Sequence, residues 1–296
     1  MTFVINPHGR LQEWIAEEKG YFAEAGLNDY RLAAHELLTK DTPKLEIADA
    51  STLDNRQGAY QTYEAGRDAS ISCACHWTVN MAAAASHGKL WGECYSVSPC
   101  AIVVPADSAV RTPEDLAGVP IHVGYQSGSH YTTIQALEPF IDASQIELVF
   151  GGTPANRVDQ LLDGSAPAAT VFGPQLYLAE QLGFRKIVDS TFMVAANVPE
   201  GVDVKDVERY YQALRRAQTD LDHMHQRYTH YYLNELPARH AELVDVKRFG
   251  PGERIVFEPY SEAVYNDTRQ WVTERGIFDE PEKSNNDYRD AVLRVG

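Results

Sequence analysis

Residues 121–189 read IHVGYQSGSHYTTIQALEPFIDASQIELVFGGTPANRVDQLLDGSAPAATVFGPQLYLAEQLGFRKIVD, a stretch in which short apolar runs alternate with segments of helical spacing. The apolar runs predict strands, and apolar residues three or four positions apart predict the helices between them. The predicted strands are Ile121–Gly124, Ile146–Phe150, Ala168–Phe172 and Arg185–Asp189, and the predicted helices are Ser129–Phe140, Ala155–Asp163 and Pro174–Leu182. This alternation predicts a parallel α/β sheet.

The flanking segments extend the same organisation. Before residue 121 the pattern predicts strands at Thr2–Ile5, Ala69–Cys75, Gly88–Ser98 and Ala101–Pro105, and helices at Leu11–Lys19 and Trp77–Ser86. After residue 189, Val204–Leu233 has apolar residues at three- and four-residue steps and predicts a long amphipathic helix. Ser261–Arg275 predicts one more helix.

Charge and hydropathy exclude two classes of function. The chain has 296 residues, with 26 Lys and Arg against 42 Asp and Glu, which gives a formal net charge of −16. Affinity for a phosphate backbone depends on clustered Lys and Arg, and no such cluster occurs. The longest apolar stretches, Met81–Ala85 and Ala101–Ala106, are far shorter than the roughly 18 residues of a membrane-spanning helix. We therefore expect neither nucleic-acid binding nor membrane insertion.

Residues 1–8 lack the basic region, apolar region and cleavage site of a signal peptide. As written, the sequence predicts a cytoplasmic protein, and a periplasmic one if a leader was removed. The four cysteines fall in or beside predicted strands: Cys73, Cys75, Cys94 and Cys100. This usage favours reduced thiols over a disulfide framework.

Four segments carry a further pattern: Ile15–Leu27 (IAEEKGYFAEAGL), Glu64–Ile71 (EAGRDASI), Asp107–Gly118 (DSAVRTPEDLAG) with Ile121–Gly124 (IHVG), and Ala155–Gly164 (ANRVDQLLDG). Together they resemble the type II periplasmic-binding-protein fold, in the branch of the sulfonate- and nitrate-binding proteins and the thiamine-pyrimidine-synthase-like proteins. The resemblance covers most of the chain. It implies a two-lobed α/β fold with a hinged central cleft, in which lobe one combines residues 1–103 and 194–296 and lobe two comprises residues 104–193.

Functions differ within this family. It includes binding proteins that deliver solutes to importers, and signal-less enzymes such as 4,5-dihydroxyphthalate decarboxylase, a sulfinate desulfinase and chorismate dehydratase. Fold alone therefore leaves binding and catalysis open.

Open α/β sheets bind ligands beyond the carboxyl ends of their strands, so the loops there hold the candidate site residues. Asn6 and His8 lie in the loop Asn6-Pro7-His8-Gly9, after the first strand and before a helix. The backbone N–H groups and His8 could meet an anionic substituent there. The alternative is an ordinary strand-to-helix turn.

The second candidate is Cys75-His76-Trp77, at the end of a predicted buried strand. Cys75 could act as a nucleophile with His76 as its base, because a neighbouring imidazolium lowers the pKa of a thiol. The alternative is that Cys75 packs as a small apolar residue while His76 and Trp77 line a pocket. The segment lacks a second ligand pair at zinc-site spacing, and no cysteine follows Cys100, so we expect no metal and no cofactor.

The third candidate is the loop before the helix at Ser129, where the site residues are Tyr125, Ser127, Gly128, Ser129 and His130. Ser127 or Ser129 is the predicted N-cap, and the N–H groups of Ser129 and His130 are expected to bind a carboxylate or sulfonate. The resemblance implies the same, since this position commonly holds the ligand's anionic group in the family. A plain N-cap without a ligand is the alternative.

The fourth candidate is Phe172-Gly173, where another strand meets a helix. Gly173 would let a ligand approach the backbone, and Phe172 can stack on a flat ring.

Two functions fit these observations. In the first, the cleft binds a small organic anion, such as an aromatic carboxylate or sulfonate, and an ABC importer permease is the partner if the chain is exported. In the second, the same cleft performs a cofactor-independent lyase reaction such as decarboxylation, with His76 or His8 protonating the ring carbon. The sequence leaves open whether the chain is an enzyme.

Overall fold

The computed structural model of the chain describes residues 2–6, 8–33, 59–64, 66–277 and 286–295. Pro7 of the first candidate loop lies outside these residues, and so does Ala65 in one of the four segments quoted above. The strands are β1 (Phe3–Asn6), β2 (Tyr30–Leu32), β3 (Ile71–Cys75), β4 (Lys89–Trp91), β5 (Tyr95–Val104), β6 (Ile121–Val123), β7 (Leu148–Phe150), β8 (Ala168–Phe172), β9 (Arg185–Val198), β10 (Arg254–Val256) and β11 (Val292–Leu293).

The helices are α1 (Gln12–Glu18), α2 (Tyr21–Glu24), α3 (Ala59–Glu64), α4 (His76–Ala84), α5 (Gly128–Leu137), α6 (Pro154–Leu162), α7 (Pro174–Gln181), α8 (Val204–Met224), α9 (Ala238–Ala241), α10 (Glu262–Glu274) and α11 (Tyr288–Ala291). Within the part of the chain that the structure describes, no helix combines the length and the apolar character needed to cross a membrane.

The sheet is mixed, and its main path runs in the order β2-β1-β3-β9-β5-β8-β6-β7. At one end β1 is parallel to β2 and β3, and at the other end β6 is parallel to β7 and β8. Between them β9 pairs antiparallel with β3 and with β5, and β5 pairs antiparallel with β8. The alternating α/β organisation is confirmed. The prediction of a parallel sheet is wrong, because the two long strands that join the parallel groups, β5 and β9, form antiparallel pairs.

These two strands differ most from the sequence prediction. β9 continues to Val198 instead of ending at Asp189, and β5 runs without a break through Pro99. On one edge β5 pairs with β10 as far as Val97 and with β8 only from Cys100, so Pro99 lies where that edge has no partner and its missing N–H is tolerated. The proposed lobe boundaries, 103/104 and 193/194, fall inside β5 and β9.

Two apolar clusters fill the lobes. The larger one lies mainly in lobe one, where Ile15 of α1 and Leu214 of α8 are fully buried. The smaller cluster lies mainly in lobe two and includes Val110, Leu116 and Leu137. The long amphipathic helix is confirmed, although it ends at Met224 and the chain continues to Asn234 in short 3₁₀ turns.

Charged contacts join the two lobes at two places. Asp159 of α6 accepts hydrogen bonds from Arg239 Nη2 at 2.8 Å and His240 Nε2 at 2.9 Å, both on α9. Elsewhere, Arg275 donates to Glu138, the C-cap residue of α5, at 2.5 Å and 2.6 Å. The carboxylate of Asp159 is almost buried, and although burial alone would raise its pKa, the contacts from His240 and Arg239 lower it. We call the first group, Asp159, Arg239 and His240, the interlobe clasp.

Replacing Leu214 by Ala is expected to lower the free energy of unfolding by about 2–5 kcal/mol, because the substitution leaves a cavity in the core between α8 and α1. The matched control is Leu162→Ala, whose side chain is 45% exposed and for which a change within about 0.5 kcal/mol is expected. Urea unfolding followed by circular dichroism measures both. Equal losses in the two variants would contradict the assignment of the core.

Candidate functional site

The carboxyl ends of strands from both lobes meet in one place. The loop after β1 brings His8 of lobe one against Phe172 at the end of β8, with the rings stacked at 5.8 Å and an interplanar angle of 5°. A Cβ added to Gly128 would lie 3.3 Å from the Cβ of Cys75, at the end of β3, and 2.8 Å from the ring of Phe192. This junction, the interlobe cleft, therefore brings together four of the residues predicted from sequence: His8, Cys75, Gly128 and Phe172.

Asn6 ends β1, and its side chain is held by the neighbouring chain. Its Nδ2 donates to the carbonyl of Ala33 at 3.1 Å. Its Oδ1 is buried and has no hydrogen-bond partner in the described ranges. The unpartnered side-chain atom of Asn6 is therefore an acceptor.

His8 is held by a buried carboxylate that the sequence analysis missed. Its Nδ1 lies 2.7 Å from Glu253 Oε2, while Glu253 Oε1 accepts from Arg10 Nη1 at 3.0 Å and from Ser96 at 2.5 Å. Burial alone would raise the pKa of Glu253, but the contacts from His8 and Arg10 outweigh it and lower that pKa to about 2. Because Glu253 is ionised, the His8 Nδ1 carries the proton of this bond.

Arg10 connects this pair to a second buried carboxylate. Its guanidinium contacts Glu13 at 2.6 Å, and Tyr210 donates to Glu13 at 2.5 Å. Arg10 and Glu13 are three residues apart at the start of α1, a spacing that an inspection for local ion pairs could have found. Ser96 and Glu253 are far from them in sequence and gave no local signal.

Cys75 and His76 do not form the predicted nucleophile–base pair. Cys75 Sγ lies 3.0 Å from Thr78 Oγ1, whereas His76 Nδ1 lies 3.0 Å from the hydroxyl of Tyr260. Burial raises the pKa of Cys75 to about 11 and lowers the pKa of His76 to about 3. A neutral imidazole provides no positive charge to stabilise a thiolate, so both residues pack in the core where α4 begins.

Trp77 belongs to an aromatic cluster at the same junction. Its ring stacks on Tyr131 of α5 at 5.3 Å and lies 6.1 Å from Trp271 of α10. The cluster thus joins helices from both lobes beside the cleft.

The loop before α5 has the predicted N-cap residue, but with other hydrogen bonds than expected. Ser127 is the N-cap, yet its hydroxyl donates to the Gly124 carbonyl at 2.7 Å. The Ser129 hydroxyl accepts from the Gly124 N–H at 2.9 Å. The N–H of His130 donates to the Ser127 carbonyl at 3.0 Å, so this group is not free for an anion as predicted. Gly128 and Ser129 are in the first turn of α5, where the N–H groups have no acceptor within the helix.

Tyr125 and His130 stack on each other at 5.6 Å and do not supply charge. His130 Nδ1 accepts from the N–H of Gln126 at 3.1 Å, and burial lowers the pKa of His130 to about 4. His130 is therefore neutral near pH 7. Any anion at this helix end would need its positive partner from another residue.

Arg157 is the buried cation that the sequence analysis did not single out. It lies on α6, is 1% exposed, and donates through Nε to the carbonyl of Thr170 at 2.9 Å and through Nη1 to the carbonyl of Gly152 at 2.8 Å. Its Nη2 is buried without a partner in the described ranges. A Cβ on Gly124 would lie 3.1 Å from Nη1, which places the guanidinium beside the loop before α5.

Phe172 and Gly173 lie at the end of β8 as predicted. Gly173 has φ +59° and ψ −144°, a conformation that favours glycine, and it precedes α7. Two basic residues lie near Phe172. The guanidinium carbon of Arg157 and the ring of His8 are each 5.8 Å from the centroid of its ring.

No group of metal-ligating side chains occurs among the residues that the structure describes, and all four cysteines are free and buried. The reduced-thiol prediction is confirmed.

The fold is shared with solved structures of low sequence identity. The alkanesulfonate-binding protein SsuA from Xanthomonas axonopodis pv. citri, solved bound to MOPS, is 16% identical with a TM-score of 0.71, over 99% of this chain and 98% of that chain. The periplasmic aliphatic sulphonate-binding protein SsuA from Escherichia coli is 15% identical with a TM-score of 0.67, over 100% and 92%. The desulfurization enzyme DszB is 16% identical with a TM-score of 0.52, over 95% and 94%.

No protein-family model and no curated protein sequence matches the chain. The structural likeness shows that the chain has the two-lobed type II periplasmic-binding-protein fold, which confirms the fold predicted from its sequence.

All four cysteines are expected to be unreactive toward Ellman's reagent in the folded protein, because every thiol is buried and burial raises the pKa of Cys75 to about 11. The absorbance should show no release of thionitrobenzoate from the reagent at pH 8 while the protein is folded. After unfolding in guanidinium chloride it should show four equivalents. A rapid reaction of the folded protein with the reagent that is absent in Cys75→Ser would contradict this prediction and would support Cys75 as a nucleophile.

Acid is expected to destabilise the protein through His76. Its folded pKa of about 3 lies below the ordinary value of 6.5, so the unfolded state binds the extra proton. The stability that neutral His76 contributes is fully present above pH 6.5. It is lost as the pH falls toward 3, by at most about 1.4 kcal/mol per pH unit. In urea unfolding between pH 7 and 4.5, His76→Asn should show a shallower decline. The exposed control His223→Asn should decline like the parent protein, and identical slopes in all three would contradict the prediction.

Proposed function

We propose that the chain is a binding protein for a small organic anion held in the interlobe cleft. The observation that carries this proposal is Arg157, a guanidinium that is 1% exposed and makes no salt bridge in the described part of the chain. The other fully buried arginine, Arg10, contacts two carboxylates.

A buried charge without a counter-charge is costly, because the lost hydration is worth several kcal/mol and no carboxylate replaces it. Burial lowers the pKa of Arg157 to about 9, which still leaves it protonated at neutral pH. Its two hydrogen bonds to carbonyl groups compensate in part, and one amino group keeps no acceptor. A bound anion would supply both the missing negative charge and the missing acceptor.

The position of Arg157 fits such a ligand. It lies among the carboxyl ends of β6, β7 and β8, where open α/β sheets bind their ligands. The loop before α5 is adjacent, and the N–H groups of Gly128 and Ser129 add the partial positive charge of a helix N-terminus. Arg157 provides the positive partner that His130 does not.

The proposed ligand class is a carboxylate or sulfonate with a flat apolar part. The partly exposed ring of Phe172 borders the cleft and offers a surface for stacking, and the buried ring of Phe192 packs edge-on against it. The structurally similar SsuA proteins bind sulfonates, which supports the anionic class. The net charge of −16 repels anions at long range, so binding would depend on these local donors.

The alternative, a cofactor-independent lyase in the same cleft, has less support. Cys75 and His76 bond to other residues, which leaves His8 as the remaining proton donor among the predicted catalytic residues. We therefore favour binding without chemistry. If the protein is exported, the permease of an ABC importer would be its partner.

Isothermal titration calorimetry with benzenesulfonate, benzoate and butanesulfonate tests the proposal, with benzamide as the uncharged control. We expect at least one anion to bind and benzamide not to bind. Arg157→Gln should weaken anion binding about 10- to 100-fold, as expected for the loss of a charged hydrogen bond, and Arg157→Lys should weaken it less.

The control variant is Arg216→Gln, because Arg216 is half exposed and pairs with Glu24 on the surface. Circular dichroism verifies that each variant is folded. Unchanged anion affinity in a folded Arg157→Gln protein would contradict the proposed site, and the absence of binding for every anion would contradict the proposed function.

A further inference from the structure

We infer that Thr78 of lobe one is a positioning residue for the anion site of lobe two, because its hydroxyl holds Gln126 in the strained conformation that shapes the loop before α5. This inference rests on the proposed function and adds to it a residue that controls affinity without contacting the ligand.

Gln126 has a left-handed backbone conformation, with φ +45°. Residues with a Cβ rarely adopt this region, and where they do, the surrounding structure must hold them there. In the described part of the chain, the only other non-glycine residue with a positive φ is Ser86, which follows α4, where a left-handed residue commonly ends a helix. Gln126 ends no helix, since it lies between β6 and α5. Its strain is therefore not explained by helix termination and points to the site around it.

The groups that hold the Gln126 peptide come from both lobes. From lobe one, the hydroxyl of Thr78 donates to the carbonyl of Gln126 at 2.9 Å. Because a carbonyl can only accept, the hydroxyl proton of Thr78 is committed to it. Cys75, whose Sγ lies 3.0 Å from Thr78 Oγ1, is then the donor of its own contact. From lobe two, the N–H of Gln126 donates to His130 Nδ1 at 3.1 Å.

The contact between Thr78 and Gln126 is shielded from water. Thr78 is 0% exposed and Gln126 is 6% exposed. A buried carbonyl that loses its donor is not rehydrated, so the Gln126 peptide depends on this hydroxyl. The start of α5 lies against the same segment of lobe one, because a Cβ added to Gly128 would be 3.3 Å from the Cβ of Cys75. Residues 75 and 78 thus support the loop before α5 at two points.

The bend at Gln126 relates the two groups of donors in the proposed site. Gly124, beside which the guanidinium of Arg157 lies, precedes the bend, and the first turn of α5 follows it. Two hydrogen bonds bridge the bend, from the Ser127 hydroxyl to the Gly124 carbonyl at 2.7 Å and from the Gly124 N–H to the Ser129 hydroxyl at 2.9 Å. If Gln126 relaxed to a negative φ, the guanidinium and the helix N–H groups would no longer face one anion. The contact from lobe one therefore acts on affinity through the backbone of Gln126.

The experiment is a mutant cycle in which titration calorimetry measures the affinity for the tightest-binding anion among benzenesulfonate, benzoate and butanesulfonate. Thr78→Val removes the hydroxyl and should weaken binding about 3- to 10-fold, whereas Thr78→Ser keeps the hydroxyl and should stay within about twofold of the parent protein. In the Gln126→Gly background, Thr78→Val should weaken binding less than about twofold, because glycine adopts a positive φ without steric cost.

Gln126→Ala is the matched control for the backbone. It removes the same side chain, including the contact of Nε2 with the Ile277 carbonyl at 3.4 Å, but it keeps the Cβ that makes the conformation costly. Thr78→Val should therefore weaken binding as much in the alanine background as in the parent protein. A purely structural role of Thr78 would instead lower affinity equally in the glycine and alanine backgrounds.

Thr229→Val is the control for the loss of a buried hydroxyl. Thr229 is also 0% exposed, but its hydroxyl donates to the carbonyl of Gln226 at 3.4 Å and lies outside the loop before α5. Its affinity for the anion should equal that of the parent protein. Circular dichroism verifies that each variant is folded, and Thr78→Ala replaces Thr78→Val in every arm if the valine variant is not.

The inference and the proposed function fail in different ways. Unchanged affinity in a folded variant that lacks the Thr78 hydroxyl, or an equal loss in the glycine and alanine backgrounds, would overturn the positioning role while anion binding still supports the proposed function. Absence of binding for every anion would overturn both.

Discussion

The antiparallel pairing of β5 and β9 is the constraint on which the rest of the structure depends. These two strands pair from Ser96 to Val104 and connect the parallel strands of lobe one to those of lobe two. Because each strand has one end in each lobe, they fix where the carboxyl ends of the two parallel groups meet. They also contribute to that junction directly, since Ser96 of β5 binds Glu253 and Phe192 of β9 lies against His8 and Phe172.

The cleft formed by this arrangement has few charged groups. The protein is strongly acidic as a whole, yet the basic groups at the cleft are buried and few. Arg10 is fully compensated and acts as part of the scaffold, whereas Arg157 has carbonyl partners only. The contrast between two equally buried arginines distinguishes a structural ion pair from a group that is available to a ligand. Under the proposed function, it is also the way in which an acidic protein would attract an anion at short range.

The sequence predicted the fold well because apolar periodicity is a local property. Ala168–Phe172 was predicted to the residue, and the helix predicted at Ala155–Asp163 lies within one residue of α6 at each end. The course of β5 through Pro99 was not predictable, because it depends on which neighbour lies on each edge of the strand. Glu253 was missed for the same reason: its partners Arg10 and Ser96 are distant in sequence. Arg157 lay within a quoted segment, but only its burial without a carboxylate sets it apart.

The interlobe clasp affects how any affinity of this protein should be understood. Asp159, Arg239 and His240 join the lobes through the chain's own side chains, so the closed arrangement has a stabilising contribution that does not come from a ligand. The apparent dissociation constant of a hinged protein is the intrinsic constant divided by the fraction of molecules that are already competent to bind. A built-in contact that raises this fraction tightens binding without touching the ligand, and it also slows release, since the same contact must break before the lobes separate. Under the proposed function, the residence time of a ligand would thus be determined in part by Asp159, Arg239 and His240.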